Sequence, residues 1–211
     1  MRAHFIEAQL NDETQPRPDW IHLPPGVEVR SLWEPLHDST LAACESDLLN
    51  RTVKLTFAAP QLVPSKPDMR FEFLLSKVSS ARATINVRWP GKYVRPSGIS
   101  RDDEEPLIKE FWSKWREQSL GWTDFEAGLQ TNSLDVADAS LATGRTTRCL
   151  QIGGMLDGDL FDDLYCEVYI AFTDLSIRSS ENVEFTLDAF DQLGVTYWDD
   201  FGKGSPTKMK P

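Results

Sequence analysis

The densest group of potential metal ligands in the sequence is an acidic stretch in its second half. The segment "GGMLDGDLFDDLYCEVYIAF", residues 153–172, places Asp157, Asp159, Asp162 and Asp163 within seven residues. Carboxylates this close together can bind a divalent cation, and a bound cation can activate water for hydrolysis. These four aspartates are the candidate metal ligands, and they would serve a metal-assisted hydrolase.

The spacing of the same aspartates does not match a calcium-binding loop. With Asp157 at position 1 of an EF-hand, position 6 is Asp162 instead of the glycine that makes the turn, and position 12 is Val168 instead of glutamate. Asp157 is followed by Gly158, and this dipeptide favours a tight reversal between two strands. The sequence therefore favours a solvated hairpin turn here, with the cation site as the alternative.

Other catalytic arrangements have no linear signal. The three histidines are His4, His22 and His37, and neither a GxSxG nor an HExxH motif accompanies them. "GGMLDG" lacks the GxGxxG spacing of a dinucleotide loop, and its neighbouring aspartates would repel a phosphate. The sequence thus predicts no cofactor and identifies no catalytic residue.

The net charge of -11 is concentrated in one half of the chain. Residues 1–100 carry 12 Lys and Arg against 11 Asp and Glu, whereas residues 101–211 carry 10 against 22. An acidic surface repels nucleic-acid phosphates and anionic lipid headgroups and attracts basic proteins. The composition therefore favours a basic protein as partner and argues against nucleic acid and membrane, and no apolar stretch approaches the roughly 20 residues that span a bilayer.

Cysteine usage indicates a reducing compartment. Cys44, Cys149 and Cys166 form no CxxC pair and have no histidine at ligand spacing. We therefore expect three buried thiols and a cytoplasmic protein.

Alternating apolar and polar residues predict an α+β fold built mainly on an antiparallel β-sheet or sandwich. The alternation is clear in "GVEVRSLW", "RTVKLTFA", "MRFEFLLS", "ARATINVRW" and "LYCEVYIAF". Two amphipathic helices, at about 104–118 and 188–201, are expected to pack against the sheet. The second helix places Tyr197, Trp198 and Phe201 on its apolar side, where they would be core anchors, although an exposed tryptophan would instead mark an interface.

The domain organisation follows from these elements. Residues 1–26, which are rich in proline, predict an irregular arm, residues 27–201 a single β-rich domain, and residues 202–211 a disordered tail. A division into two lobes near 119–144 remains an alternative.

The function expected from the sequence is non-catalytic binding of another macromolecule through an acidic surface, as in an immunity protein or an inhibitor. One alternative is the metal-assisted hydrolase that would use Asp157 to Asp163. Another is a small-ligand binder with an apolar pocket lined by Phe71, Phe73 and Val168. The oligomeric state is left open by the sequence.

Overall fold

The computed structural model describes residues 27–87, 95–112, 116–157 and 164–203, and these form an α+β fold dominated by one antiparallel sheet. The strands are β1 (Glu28–Ser31), β2 (Thr40–Asp47), β3 (Thr52–Ala58), β4 (Arg70–Ser76), β5 (Ser80–Val87), β6 (Arg116–Leu120), β7 (Ser133–Thr143), β8 (Arg148–Asp157), β9 (Leu164–Phe172), β10 (Asp174–Ser179) and β11 (Glu184–Phe185). The helices are α1 (Trp33–Leu36), α2 (Arg101–Trp112), α3 (Trp122–Gly128) and α4 (Leu187–Gly202). The predicted fold class is confirmed.

The sheet folds back on itself around the core. Its strand order is β11-β10-β4-β3-β2-β7-β8-β9-β5-β6, and β1 pairs with β7 beside β2. β4 pairs with β10 and β5 pairs with β9, and the two pairs meet at a corner. At that corner the Thr173 amide donates to the Ser76 carbonyl at 3.2 Å and the Ser79 amide donates to the Ala171 carbonyl at 2.8 Å. Because β9 continues directly into β10, the pairing returns to β4 and closes a ring of strands.

The side chains expected inside the sheet form one hydrophobic core. Phe71, Phe73 and Leu75 of β4 are fully buried, as are Leu55 and Phe57 of β3, and Cys166, Val168 and Ile170 of β9 join the same cluster. The period of two predicted these inward faces correctly, because a strand covered on one side must alternate its side chains.

Three strands, β2, β6 and β7, were not predicted, and in β2 and β7 a bulge interrupts the alternation. The pairing register shifts between Leu41 and Ala43 in β2 and between Val136 and Asp138 in β7. In β7 the inward residues are therefore Leu134 and Val136 before the bulge and Ala139 and Leu141 after it, and Ala142 is buried as well. A bulge adds one residue and reverses the inward phase, so no single alternating run covers the strand.

Helix α2 differs from the predicted helix at about 104–118. It begins earlier because Ser100 caps it: the Ser100 hydroxyl accepts from the Asp103 amide at 3.2 Å. It ends at Trp112, and residues 116–120 form β6, which pairs with β5. Pro106 consequently lies inside the helix and not in its first turn.

Helix α4 agrees well with the prediction of 188–201. The Thr186 hydroxyl accepts from the Ala189 amide at 3.1 Å and caps its start. Phe190 enters the core and packs edge-to-face against Phe71 and Phe73. One turn further along α4, Gly194 is buried against α1. Helix α1 lies in the chain between β1 and β2.

Several predicted segments lie outside the described residues. They are the proline-rich arm at 1–26, the tail after residue 203, residues 113–115 of the first predicted helix, and most of the acidic turn. Among the helices that the structure describes, none is long and apolar enough to cross a membrane.

Because α4 packs closely on α1, alanine substitutions at two glycines of α4 should have different effects on the free energy of unfolding. A Cβ at Gly194 would come within 3.0 Å of backbone atoms of Glu34 and Pro35, whereas a Cβ at Gly202 would meet nothing within 4 Å. Gly194→Ala should lower the free energy of unfolding by about 3 kcal/mol, because backbone atoms cannot rotate away. Gly202→Ala should leave it unchanged or raise it by up to about 1 kcal/mol. Chemical denaturation measures both, and equal stability of the two variants would contradict this crossing.

Candidate functional site

The acidic turn joins two paired strands. β8 ends at Asp157, whose backbone pairs with Ser133, and β9 begins at Leu164 beside β8. The expected hairpin is therefore present, with a connection of 158–163 that is longer than a two-residue turn. Asp159, Asp162 and Asp163 lie outside the described residues, as does the side chain of Asp157. Within the described ranges no group of three or more His, Cys, Asp or Glu side chains could hold a metal ion, so the cation site at this turn remains a hypothesis.

The cysteines have the environment of structural thiols. Burial raises the pKa of Cys149 to about 11 and that of Cys166 to about 12, and it raises the pKa of Cys44 well above its usual value. A thiol is nucleophilic only as the thiolate, so these three are poor nucleophiles near neutral pH.

The apolar pocket proposed for a small ligand would be lined by residues that pack against one another. Phe71, Phe73 and Val168 are each fully buried, and Phe57 contacts Phe73 edge-to-face at 5.1 Å. These side chains serve the core, and the small-ligand hypothesis gains no support from them.

Strand β9 is buried on both faces, which the alternation did not predict. Glu167 and Tyr169 point away from the core yet are only 7% and 4% exposed. Gln151 Nε2 lies 3.5 Å from Glu167 Oε1 and 3.4 Å from the Tyr169 hydroxyl. The Tyr165 hydroxyl lies in the space that a side chain at position 153 would occupy, and this space is free because residue 153 is glycine. These polar groups pack with one another on the outside of the sheet and stabilise it there.

An aromatic cluster forms where α4 crosses α1. The ring of Trp33 stacks on His37 with centroids 4.5 Å apart and on Trp198 with centroids 4.9 Å apart. Trp198 Nε1 donates to the Glu34 carbonyl at 2.8 Å, and His37 Nδ1 lies 3.0 Å from the Ala137 carbonyl. Since a carbonyl oxygen only accepts, Nδ1 carries the proton of that bond. Residues about 160 positions apart in the chain are thus fixed in one cluster.

The last turn of α4 extends the apolar side of the helix beyond the sheet. At about 100° per residue, Phe190, Gly194 and Phe201 fall within about 40° of one another around the helix. Phe190 and Gly194 are buried, but Phe201 is 66% exposed and contacts only the neighbouring rings of Tyr197 and Trp198 among the described aromatic residues. The side of α4 that should face the core therefore ends in an exposed aromatic group.

Carboxylates lie on both elements that build this group, and Glu34, Asp38 and Asp199 form no ion pair with a Lys or Arg among the described residues. Other acids of the same two segments are paired with Lys or Arg: Glu45 with Lys54, Glu181 with Lys66, Glu184 with Arg178, and Asp200 with Lys203. The neighbouring cation Arg30 is paired with Asp188. We refer to Trp33, His37, Tyr197, Trp198 and Phe201, with the carboxylates of Glu34, Asp38 and Asp199, as the α1–α4 surface. It combines exposed aromatic area with negative charge.

Asp191 lies on α4 close to the contact with α1. Its Oδ1 is buried and has no hydrogen-bond partner in the described part of the chain. Burial raises the pKa of Asp191, Arg30 opposes this shift, and Glu34 and Asp188 add to it. The ionised carboxylate is therefore unfavourable in the folded protein.

Comparison of the chain with protein-family models, with curated proteins and with solved structures finds no match. Function is accordingly inferred from the chemistry of the α1–α4 surface. The sequence indicated Tyr197, Trp198 and Phe201 through their helical spacing, but it placed Trp33 in a strand and gave His37 no role.

The raised pKa of Asp191 predicts that Asp191→Asn increases stability at pH 7. In the unfolded chain this carboxyl titrates at its usual pKa. At a pH above its raised pKa in the folded protein, the carboxyl is ionised in both the folded and the unfolded chain, and the full cost of burying the charge lowers the free energy of unfolding. The gain should shrink as pH falls through the folded pKa and vanish below the unfolded one, where both states are protonated. Thermal unfolding between pH 3 and pH 7 measures it.

The control is Asp188→Asn, on the same helix. Asp188 pairs with Arg30 and lies in the first turn, where the helix dipole favours an acid. This variant should be slightly less stable at pH 7. A loss of stability in Asp191→Asn equal to that in Asp188→Asn would contradict the assignment.

Proposed function

We propose that this protein is a non-catalytic binding protein that recognises a basic protein, in the manner of an immunity protein or an inhibitor, through the α1–α4 surface. The observation that carries the proposal is the exposure of Phe201 on the apolar side of α4. Large aromatic residues at the centre of an interface contribute much of its binding energy. An aromatic residue held on a helix already fixed at Gly194 and Trp198 loses little freedom on binding.

Charge supports a basic partner over an acidic or neutral one. The carboxylates of this surface, Glu34, Asp38 and Asp199, have no Lys or Arg partner among the described residues, whereas the cations that adjoin it in the chain, Arg30 and Lys203, are paired with Asp188 and Asp200. Such a surface attracts a basic protein at long range and disfavours other partners through like-charge repulsion. The second half of the chain, which includes Asp157 to Asp163, carries 22 Asp and Glu against 10 Lys and Arg. The three free thiols, Cys44, Cys149 and Cys166, suit the cytoplasm as the place of this interaction.

The aromatic part of the proposal is tested with Phe201→Ser. Because Phe201 is exposed, its replacement should leave stability nearly unchanged while weakening the partner's affinity by about tenfold or more. The matched control is Leu49→Ser, which alters a 77% exposed apolar side chain in the turn between β2 and β3. The partner is captured from the source cells with the wild-type chain, purified, and its dissociation constant measured against each variant.

The electrostatic part is tested with Asp199→Lys against Asp68→Lys. Both aspartates are exposed and both substitutions change the net charge equally, but only Asp199 belongs to the α1–α4 surface. Asp199→Lys should slow association, and the effect should fade as salt screens the charges. The proposal would be contradicted if neither Phe201→Ser nor Asp199→Lys changed the binding of the partner. It would also be contradicted if the captured partner were not a basic protein.

A further inference from the structure

Among the residues that the structure describes, aromatic rings lie on only one side of Trp33. His37 and Trp198 stack on Trp33 at 4.5 and 4.9 Å, and their own centroids are 5.7 Å apart. If Trp33 lay between them, they would be separated by roughly twice a stacking distance. The two rings therefore lie on the same side of Trp33. Trp33 is 36% exposed, and neither of these rings covers its opposite side.

The backbone around Trp33 holds that open side in a fixed orientation. The Trp33 amide donates to the Ser31 hydroxyl at 3.1 Å, and the His37 amide donates to the Trp33 carbonyl at 2.8 Å. The preceding residue, Leu32, is fully buried and donates its amide to Ala139 at 2.9 Å. The indole is thus supported from behind by two rings and along its backbone by β7, so its open side is preorganised for a ligand.

The open side of an indole is a receptor for a cation. Tryptophan offers the strongest cation–π attraction of the aromatic residues, because the face of its ring carries negative electrostatic potential. Glu34 follows Trp33 directly in the chain, and the nearby cation Arg30 is paired with Asp188. The Asp38 carboxylate lies beside His37, with Oδ1 3.5 Å from Nε2, and so belongs to the covered side of Trp33. A cationic group on the other side would therefore be attracted by the face of the ring and by the net negative charge of Glu34 and Asp38 at longer range.

We propose that Trp33 receives an arginine side chain of the basic partner on its open side. This inference rests on the proposed function and adds the group that the surface recognises. A guanidinium is planar, stacks flat on an aromatic ring, and keeps its edge free for hydrogen bonds to a carboxylate. An ammonium is compact and more strongly hydrated, so lysine gains less from the same flat indole.

The test uses defined peptides in place of the cellular partner. A peptide of alternating arginine and glycine is titrated into the full chain while the indole N–H signals are followed by NMR, and Trp33→Leu identifies the Trp33 signal. The arginine peptide should shift the Trp33 signal and leave that of Trp122, which is 1% exposed, unmoved. Trp33→Leu should weaken binding by about twofold to fivefold, the range of one exposed cation–π contact, whereas Leu49→Ser should not.

Two further peptides decide the chemistry. Replacing arginine by citrulline, its neutral isostere, should abolish the shift, and replacing it by lysine should weaken binding. Equal binding of the citrulline peptide, equal binding of the lysine peptide, or full affinity in Trp33→Leu would each overturn the inference. None of these results depends on the captured partner, so a basic partner that requires Phe201 would still uphold the proposed function. Conversely, the absence of such a partner would refute the proposed function whatever the peptides do.

Discussion

The close contact between α4 and α1 at Gly194 is the constraint on which the α1–α4 surface depends. The backbone of Glu34 and Pro35 occupies the space where any larger residue at position 194 would carry its side chain. Only this approach brings Trp198 near enough to donate to the Glu34 carbonyl at 2.8 Å. One turn earlier, Phe190 enters the core between Phe71 and Phe73. The helix is thus fixed at three successive levels before its last turn leaves the sheet.

The binding surface follows from how α4 is fixed. Because the core ends before the helix does, the apolar side that buries Phe190 continues outward and exposes Phe201. Because α1 interrupts the path between β1 and β2, Trp33 and His37 are turned toward the same helix. Glu34, Asp38 and Asp199 then add negative charge to an aromatic group that the fold holds in place. In such a surface the aromatic area contributes most of the binding energy. The charge raises the rate of association and disfavours partners of like charge.

Much of the fold could be predicted from local patterns, because a strand covered on one side must alternate its residues. That reasoning found β3, β4, β5 and β9, and the spacing from Phe190 to Phe201 found α4. It failed for β2 and β7, where bulges shift the phase at Leu41 and at Val136. The first long helix was predicted to continue through residues that in fact form β6. The helical spacing of apolar residues carries no information about the pairing of this segment with β5, which makes it a strand.

The surface itself was only half predictable. Helical spacing placed Tyr197, Trp198 and Phe201 on one side of a helix. The sequence also predicted that a tryptophan of this helix, if exposed, would mark an interface. Trp33 and His37, however, join them through a contact between distant parts of the chain. No linear signal encodes that contact, because it depends on the short helix α1 and on the absence of a side chain at Gly194.

The most direct test of the central claim is native mass spectrometry of this protein purified gently from its own source cells. We expect a stoichiometric complex with one basic protein, which dissociates as the ionic strength is raised. A chain that carries only a divalent ion or a small ligand would contradict it, and would direct attention to Asp157 and its neighbours or to an apolar pocket instead.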